Sequence, residues 1–286
     1  MPELPEVESL ARFLSERTAG RTVADVAVVA VSALKTFRPA PQDLLGRTVQ
    51  EVRRHGKWLD LATDGPHLLA HLSRAGWVRW YDRVPTTTPR PGRGPIALRL
   101  RLDDGSGFDL TEAGTRKRLA VHVVQDPRDV ALVAELGVDP LSEAFTVERL
   151  GALLTARTQQ VKGLLRDQRA IAGIGNAYSD EILHAARMSP FALSTSLDAA
   201  AVARLHAVVR AVLTEALDAS AGRPAAELKD AKRRGLQVHG RTGQACPVCG
   251  DTVREVSFAD RSLQYCPTCQ TGGRPLADRR LSRLLR

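Results

Sequence analysis

No stretch of the 286 residues approaches the roughly 18 to 20 consecutive apolar positions that a membrane-crossing helix needs. Nor does the start resemble a secretory signal: Glu3, Glu6 and Glu8 stand where such a signal carries a basic region followed by an apolar one. Together these absences point to a cytoplasmic protein. No cysteine occurs before position 246, so thiol chemistry is confined to one terminal module. There is no internal repeat and no low-complexity tract, and 43% hydrophobic against 26% charged residues is too apolar for a disordered chain.

What is present fits a globular protein of more than one domain, since a single domain usually holds about 100 to 200 residues. At the N-terminus, Leu4, Val7, Leu10, Ala11 and Leu14 recur at spacings of three and four, which predicts an amphipathic helix over 2–17. From 22 to 124 the pattern changes to β-branched and alternating runs at 23–31, 48–61, 68–81, 96–102, 108–110 and 119–124. These predict strands of an antiparallel, sandwich-like sheet. Asp103-Asp104-Gly105-Ser106-Gly107 is a hairpin signal, and 84–95, with its prolines and glycines, is a loop. Beyond Asp126-Pro127 the period becomes helical, with candidates at 146–157, 161–168, 176–187 and 197–217. The glycines of Ala172-Gly173-Ile174-Gly175-Asn176 permit tight turns that aim a helix N-terminus at an anion, though simple turns use the same spacing. Residues 222–243 are polar and basic and read as a linker.

The net charge of +9 favours a polyanionic partner, and the segment from Lys229 to the end, with twelve basic and five acidic residues, supplies +7 of it. A solvated basic tail is the competing reading of that charge. The same segment holds Cys246-Pro247-Val248-Cys249 and, sixteen residues on, Cys266-Pro267-Thr268-Cys269. Each pair offers two thiolates from one tight knuckle, and two knuckles close a tetrahedral site, so one structural zinc ion is expected on Cys246, Cys249, Cys266 and Cys269. Two redox-active pairs are the alternative. The residues between the knuckles, 252–258 and 262–265, suit a hairpin with Asp260 and Arg261 near its tip. So small a module has no sizeable core, and metal binding must supply its folding energy, on the order of 10 kcal/mol.

The first residues, Met1-Pro2-Glu3-Leu4-Pro5-Glu6-Val7-Glu8, resemble the N-terminus of the formamidopyrimidine-DNA glycosylase and endonuclease VIII family. Three further stretches agree in the same order. His55-Gly56-Lys57-Trp58-Leu59 resembles the family's lysine-bearing strand, 171–186 its helix-two-turn-helix, and 237–269, with Val238-His239-Gly240-Arg241, its zinc finger. The resemblance implies an α+β chain: an N-terminal antiparallel β-sandwich-like domain with an N-terminal helix, then a helical helix-two-turn-helix domain and a C-terminal zinc finger. Its expected divisions are a catalytic β-rich domain at 1–126, a DNA-binding domain at 127–235 and the finger with a basic tail at 236–286, with DNA held between the domains.

It also implies roles. Pro2 would be the Schiff-base nucleophile, Glu3 a proton donor to sugar or base, Lys57 a proton donor for β-elimination and a phosphate contact, and Arg261 the finger residue tied to δ-elimination. Asn176, His71, Arg74 and Lys162 would contact DNA. The chemistry is sound on its own terms: loss of Met1 before the small Pro2 exposes a secondary amine that needs only to lose a proton to attack a sugar C1′. Glu6 either orients Glu3 or merely occupies a first helical turn, where carboxylates are favourable.

Three stretches depart from the family pattern. After His71-Leu72 the family usually has Gly-Met-Ser-Gly, whose Met fills the gap left by the flipped nucleotide; Ser73-Arg74-Ala75-Gly76 stands here. The loop that contacts the opposite strand in 8-oxoguanine enzymes is replaced by Thr111-Glu112-Ala113-Gly114-Thr115-Arg116-Lys117-Arg118, and the stretch after Leu228-Lys229-Asp230 is short. The expected function is therefore a bifunctional DNA glycosylase and abasic-site lyase of base excision repair, not confined to 8-oxoguanine. Its partner would be double-stranded DNA with damaged bases or abasic sites, bound by a monomer near the nucleoid and away from membranes. The alternatives are a non-excising damaged-DNA binder of the same fold and an RNA-binding protein. The finger gives a direct check: Cys266→Ser should abolish zinc stoichiometry, read by atomic absorption, and DNA binding, while the N-terminal domain keeps its own unfolding transition.

Overall fold

The computed structural model describes residues 1–87, 89–90, 92, 94–258 and 262–277. It divides into two compact units, one of Met1–Leu136 with Ser220–Ala231, the other of Gly137–Ala219 with Lys232–Arg286.

The first unit opens with α1 (Leu4–Thr18). Leu4, Val7, Leu10, Ala11 and Leu14 are all buried, as their spacing requires, on the face that packs against β2 (Val49–His55) and β3 (Trp58–Thr63). Among the described residues of this unit, eight strands form two antiparallel sheets. One takes the order β1-β6-β7-β5, from β1 (Val23–Val28), β5 (Gly76–Tyr81), β6 (Ile96–Leu102) and β7 (Gly107–Glu112). The other takes the order β2-β3-β4-β8, with β4 (His67–His71) and β8 (Ala120–Val124). A single apolar core draws Val26, Leu98, Leu100 and Phe108 from the first sheet and Val52, Leu59, Leu61 and Val123 from the second, which makes the unit a sandwich.

Two of the long predicted strand runs are in fact broken. The run at 48–61 folds back on itself as the β2–β3 hairpin, with His55 paired to Trp58 and Gly56 at φ 56°, a left-handed value that suits the first position of a two-residue turn. The run at 68–81 divides between the two sheets, β4 in one and β5 in the other. Its break is a tight turn in which Gly76 N–H donates to Leu72 O at 2.8 Å and Ser73 has φ 53°. A Cβ on Gly76 would lie 2.1 Å from Leu72 O, so only glycine fits there. The polar segment 222–243 is likewise more than a linker. It carries α7 (Leu228–Gly235), and Ala225 and Leu228 lie in the sandwich core, where Ala225 O accepts the Trp77 indole N–H at 2.8 Å.

The second unit is helical with a small ribbon. The helices α3 (Val147–Thr155), α4 (Val161–Arg166), α5 (Asn176–Ala185) and α6 (Ala199–Asp218) end within two residues of the expected positions. A single-turn helix, α2 (Ala131–Ala134), precedes them in the first unit. Between α4 and α5 the chain makes two turns joined by one side chain: Gln168 donates to Arg166 O (2.9 Å) and Ile174 O (2.7 Å), and accepts from Gly173 N (2.9 Å). The ribbon pairs β9 (Arg254–Ser257) with β10 (Ser262–Tyr265), followed by α8 (Pro267–Thr271).

The face of α5 holds this ribbon module in place. Asp180, 1% exposed, receives Lys162 Nζ at 2.6 Å and pairs with His239 Nδ1 at 2.7 Å. Glu181 accepts the backbone N–H groups of Gln237, Val238 and His239 at 2.7, 3.0 and 2.8 Å. Burial raises the Glu181 carboxyl, and those three donors oppose the rise.

Each unit offers a stability test. In the sandwich, register places Trp58 opposite His71, ring centroids 4.9 Å apart, and burial together with the nearby Lys57 charge lowers the His71 imidazole to about 4. A histidine held below its ordinary value is stabilising above pH about 6.5 and loses that contribution as pH falls toward 4, because the unfolded chain then binds the proton more readily. Urea titrations of His71→Asn should therefore show a flatter stability profile than wild type between those limits, by on the order of 2 kcal/mol; parallel profiles would refute the assignment. In the helical unit, Asp180→Ala leaves the Lys162 ammonium buried without its carboxylate, and its unfolding transition should lose about 3–5 kcal/mol.

Candidate functional site

Pro2 is buried and precedes Glu3, the N-cap of α1. Glu3, at the helix N-cap, is 2% exposed, and its N–H donates to Glu6 Oε2 at 2.8 Å. Glu6 thus orients the backbone of Glu3, as in the return half of a capping box. The contacts along α1 fix its direction. Glu8 accepts from Arg54 at 2.9 Å near the end of β2, whereas Ser15, two turns further on, accepts from Val52 N–H at 3.0 Å. The N-terminus of α1 therefore points toward the hairpin turn made by Gly56 and Lys57. In that turn Lys57 is only 8% exposed.

An ammonium and two carboxylates removed from water cost stability unless the protein compensates them. Burying Glu3, Glu6 and Lys57 around the start of α1 and the turn it faces is a feature of chemical sites more than of cores. The neutral state of His71 beside Lys57 fits the same pattern: one group carries the charge and its neighbour gives it up.

The crossover turn between β4 and β5 presents Arg74 to solvent. Its neighbour in the first unit, the 113–119 loop, is anchored from beneath. The buried Glu112 carboxylate accepts Arg118 N–H at 2.8 Å and Leu119 N–H at 3.0 Å, and Lys117 Nζ donates to Glu112 O. Arg116, Lys117 and Arg118 are left exposed on that loop.

In the second unit, Asn176 is the first residue of α5, and its Nδ2 donates to Ser262 O of β10 at 2.8 Å while its Oδ1 is buried with no hydrogen-bond partner among the described residues. Lys162 is 5% exposed and its ammonium is held by Asp180, Ser179 Oγ (2.7 Å) and Asn176 O (3.3 Å). The structure thus brings Lys162 and Asn176 into one network, but places the lysine charge inside it. Arg261 lies outside the described residues.

The four thiols gather as the spacing requires. Cys249 and Cys266 sulfurs are 3.3 Å apart and those of Cys246 and Cys269 3.9 Å apart. Zn–S bonds of about 2.3 Å in a tetrahedron set sulfurs about 3.8 Å apart, so the donor set fits one zinc ion. Burial pushes the Cys266 thiol up to about 11 and raises that of Cys269, so metal binding must displace protons there. One further donor stands at this centre that the spacing of cysteines could not disclose: His184 Nε2, 3.3 Å from Cys246 Sγ.

Three family models match the chain in order. They are the formamidopyrimidine-DNA glycosylase N-terminal domain at 1–121, the formamidopyrimidine-DNA glycosylase H2TH domain at 136–226, and the zinc finger found in FPG and IleRS at 243–272. The formamidopyrimidine-DNA glycosylase of Symbiobacterium thermophilum is 36% identical over 284 residues, covering 94% of this chain and 89% of its own. An uncharacterized formamidopyrimidine-DNA glycosylase-like protein of Mycobacterium tuberculosis is 58% identical over 151 residues, 53% of this chain and 94% of its own. Among solved structures, the MutM (Fpg) protein of Thermus thermophilus superposes with a TM-score of 0.80 at 33% identity, covering 96% of this chain and all of that one. The Lactococcus lactis enzyme bound non-covalently to DNA containing an abasic site gives 0.81 at 26% identity, over 94% of this chain and 99% of that one. With a relative 36% identical across nearly its whole length and all three domain models matched in order, the chain belongs to the formamidopyrimidine-DNA glycosylase family.

Proposed function

We propose that the protein is a bifunctional DNA glycosylase and abasic-site lyase of base excision repair that acts on double-stranded DNA in the cytoplasm. The observation that carries this reading is the buried acid–base group, Glu3 and Lys57, at the end of the sandwich toward which Pro2 and the N-terminus of α1 point. Binding alone needs neither a free N-terminal amine nor a desolvated lysine in the turn that the start of α1 faces.

After removal of Met1, the Pro2 nitrogen lone pair attacks C1′ of the damaged nucleotide. The C1′–base bond breaks and the base leaves with a proton, giving an aminal; the C1′–O4′ bond then opens, O4′ takes up a proton, and an iminium joins Pro2 to C1′. Glu3 is the group for proton transfer to the sugar or departing base. The iminium acidifies the C2′ proton; its loss expels the 3′ phosphate in β-elimination, for which Lys57 serves as proton donor and phosphate contact. Arg261 is assigned to the δ-elimination that expels the remaining 5′ phosphate. Residues 1–126 would carry the chemistry, with 127–235 and the zinc module at 236–286 holding the duplex.

Asn176 at the start of α5 and His71 in the sandwich are assigned to phosphate, and the exposed Arg74 to the space left by the flipped nucleotide. Lys162, whose charge is already engaged by Asp180, would act on DNA through the placement of Asn176 and not by direct contact. Because Arg74 replaces a thioether wedge with a planar, charged, hydrogen-bonding one, the substrate range extends beyond 8-oxoguanine, to lesions such as oxidised pyrimidines, ring-opened purines or abasic sites.

Borohydride trapping on a duplex with one abasic site tests the reading, with mass spectrometry first establishing loss of Met1. Wild type should form a covalent adduct that maps to Pro2, and Pro2→Gly should lose most of it while binding DNA as tightly. Correctly processed wild type that binds the duplex and yields no adduct would instead establish the non-excising binder.

A further inference from the structure

The zinc centre has a neighbour outside the finger. His184 sits in the last turn of α5, 4% exposed, with Nε2 3.3 Å from the sulfur of Cys246, a cysteine itself only 2% exposed. Four thiolates around one Zn2+ leave a net charge of −2, and a thiolate buried away from water needs a donor to hold that charge. A neutral imidazole with its proton on Nε2 is such a donor, and the sulfur–nitrogen distance is that of an N–H···S hydrogen bond.

The rest of α5 makes this contact part of a series. Asn176, Asp180 and His184 are spaced by four, so they share one helix face. Each meets the zinc module: Asn176 at Ser262 O, Asp180 at His239, His184 at Cys246. From His184 to Asn176 is about 12 Å along the helix, at about 1.5 Å per residue.

We propose that His184 is a positioning residue of the zinc centre: its Nε2–H donates to the Cys246 thiolate and so makes retention of the metal depend on the helix-two-turn-helix as well as on the finger. The finger's four cysteines remain the ligands, and the proposal does not depend on the lyase reading. The metal centre thereby becomes the last of three contacts along α5, and its integrity is linked to the place of Asn176.

The test uses the full-length protein loaded with one zinc ion. A chelating dye follows zinc release from wild type, from His184→Phe, which keeps a ring of similar size without the donor, and from His184→Gln, whose amide N–H can still donate. Release should be about 10–100-fold faster from His184→Phe, with zinc stoichiometry still one, and His184→Gln should recover most of the difference. His184→Leu serves the same comparison if the phenylalanine variant does not fold. Cobalt-substituted wild type and His184→Phe should both show the charge-transfer and d–d bands of four thiolates. Equal release rates for all the variants would overturn the proposal. So would a wild-type cobalt spectrum of three thiolates and one imidazole that changes in His184→Phe and is unmoved by Cys249→Ser, because His184 would then be a ligand.

Discussion

The helical unit depends on one buried carboxylate. Asp180 lies on α5 and joins α4, through Lys162, to the segment that enters the zinc module, through His239. Lys162 could not be left so deeply buried without it. The adjoining Glu181 repeats the device with neutral donors, three consecutive backbone N–H groups that a single bent segment turns toward one carboxylate. An apolar contact would tolerate sliding by a residue; a carboxylate fitted to three amides does not. The register of 237–239 on α5 is thus fixed before the metal is considered, and the metal centre adds His184–Cys246 to a junction already specified.

The sandwich solves a different problem. On the proposed function its acid–base groups must be kept dry, yet Pro2 and Glu3 belong to the first residues of the chain, a part of a protein prone to fray. The structure anchors this end from two sides. Along α1 the apolar face is wholly buried, and near its start Arg54, itself largely buried, reaches from β2 to Glu8 while also donating to Gly56 O at 3.4 Å in the turn that bears Lys57. One guanidinium therefore spans the first turns of α1 and the Lys57 turn. A shift of the helix would strain that link before it displaced the residues at the helix start.

Much of this was legible in the sequence, and the exceptions share a cause. The five principal helices and the zinc site follow from local spacing, which is why α1 and α3 to α6 fall where the periodicity puts them. What failed was the division of apolar runs. The stretch at 48–61 looks continuous because its turn uses only Gly56 and Lys57, and that at 68–81 because both halves are equally apolar; that they enter different sheets is a tertiary fact. Residues 222–243 read as a linker because only Ala225 and Leu228 reach the sandwich core, too few to make a period. Among the candidate site residues, Pro2, Glu3, Lys57 and the cysteines could be named from motifs. The interior position of Lys162 could not, since its partner Asp180 is eighteen residues away and a basic residue near a DNA-binding turn looks like a surface contact. His184 gave no signal at all: a lone histidine in a helix is more often a satisfied core residue than a member of a metal centre.

On the proposed function, the β4–β5 turn is where the fold leaves substrate choice open. Its shape is set by Ser73 at positive φ and by the closeness of Gly76 to Leu72 O, and none of these constraints involves the side chain at 74. A long side chain there is exposed whatever its chemistry, so its identity is free to follow the lesion and not the sandwich. A guanidinium in that place is harder to desolvate than a thioether, but it is flat and carries five donors, so it can stack on a base or bind its edge. On the proposed function, exchanging the wedge changes which flipped states are stabilised and leaves the Pro2 amine and its acid–base neighbours as they were. Selectivity and reaction then rest on separate residues, and the chain can depart from 8-oxoguanine while keeping the chemistry of its family.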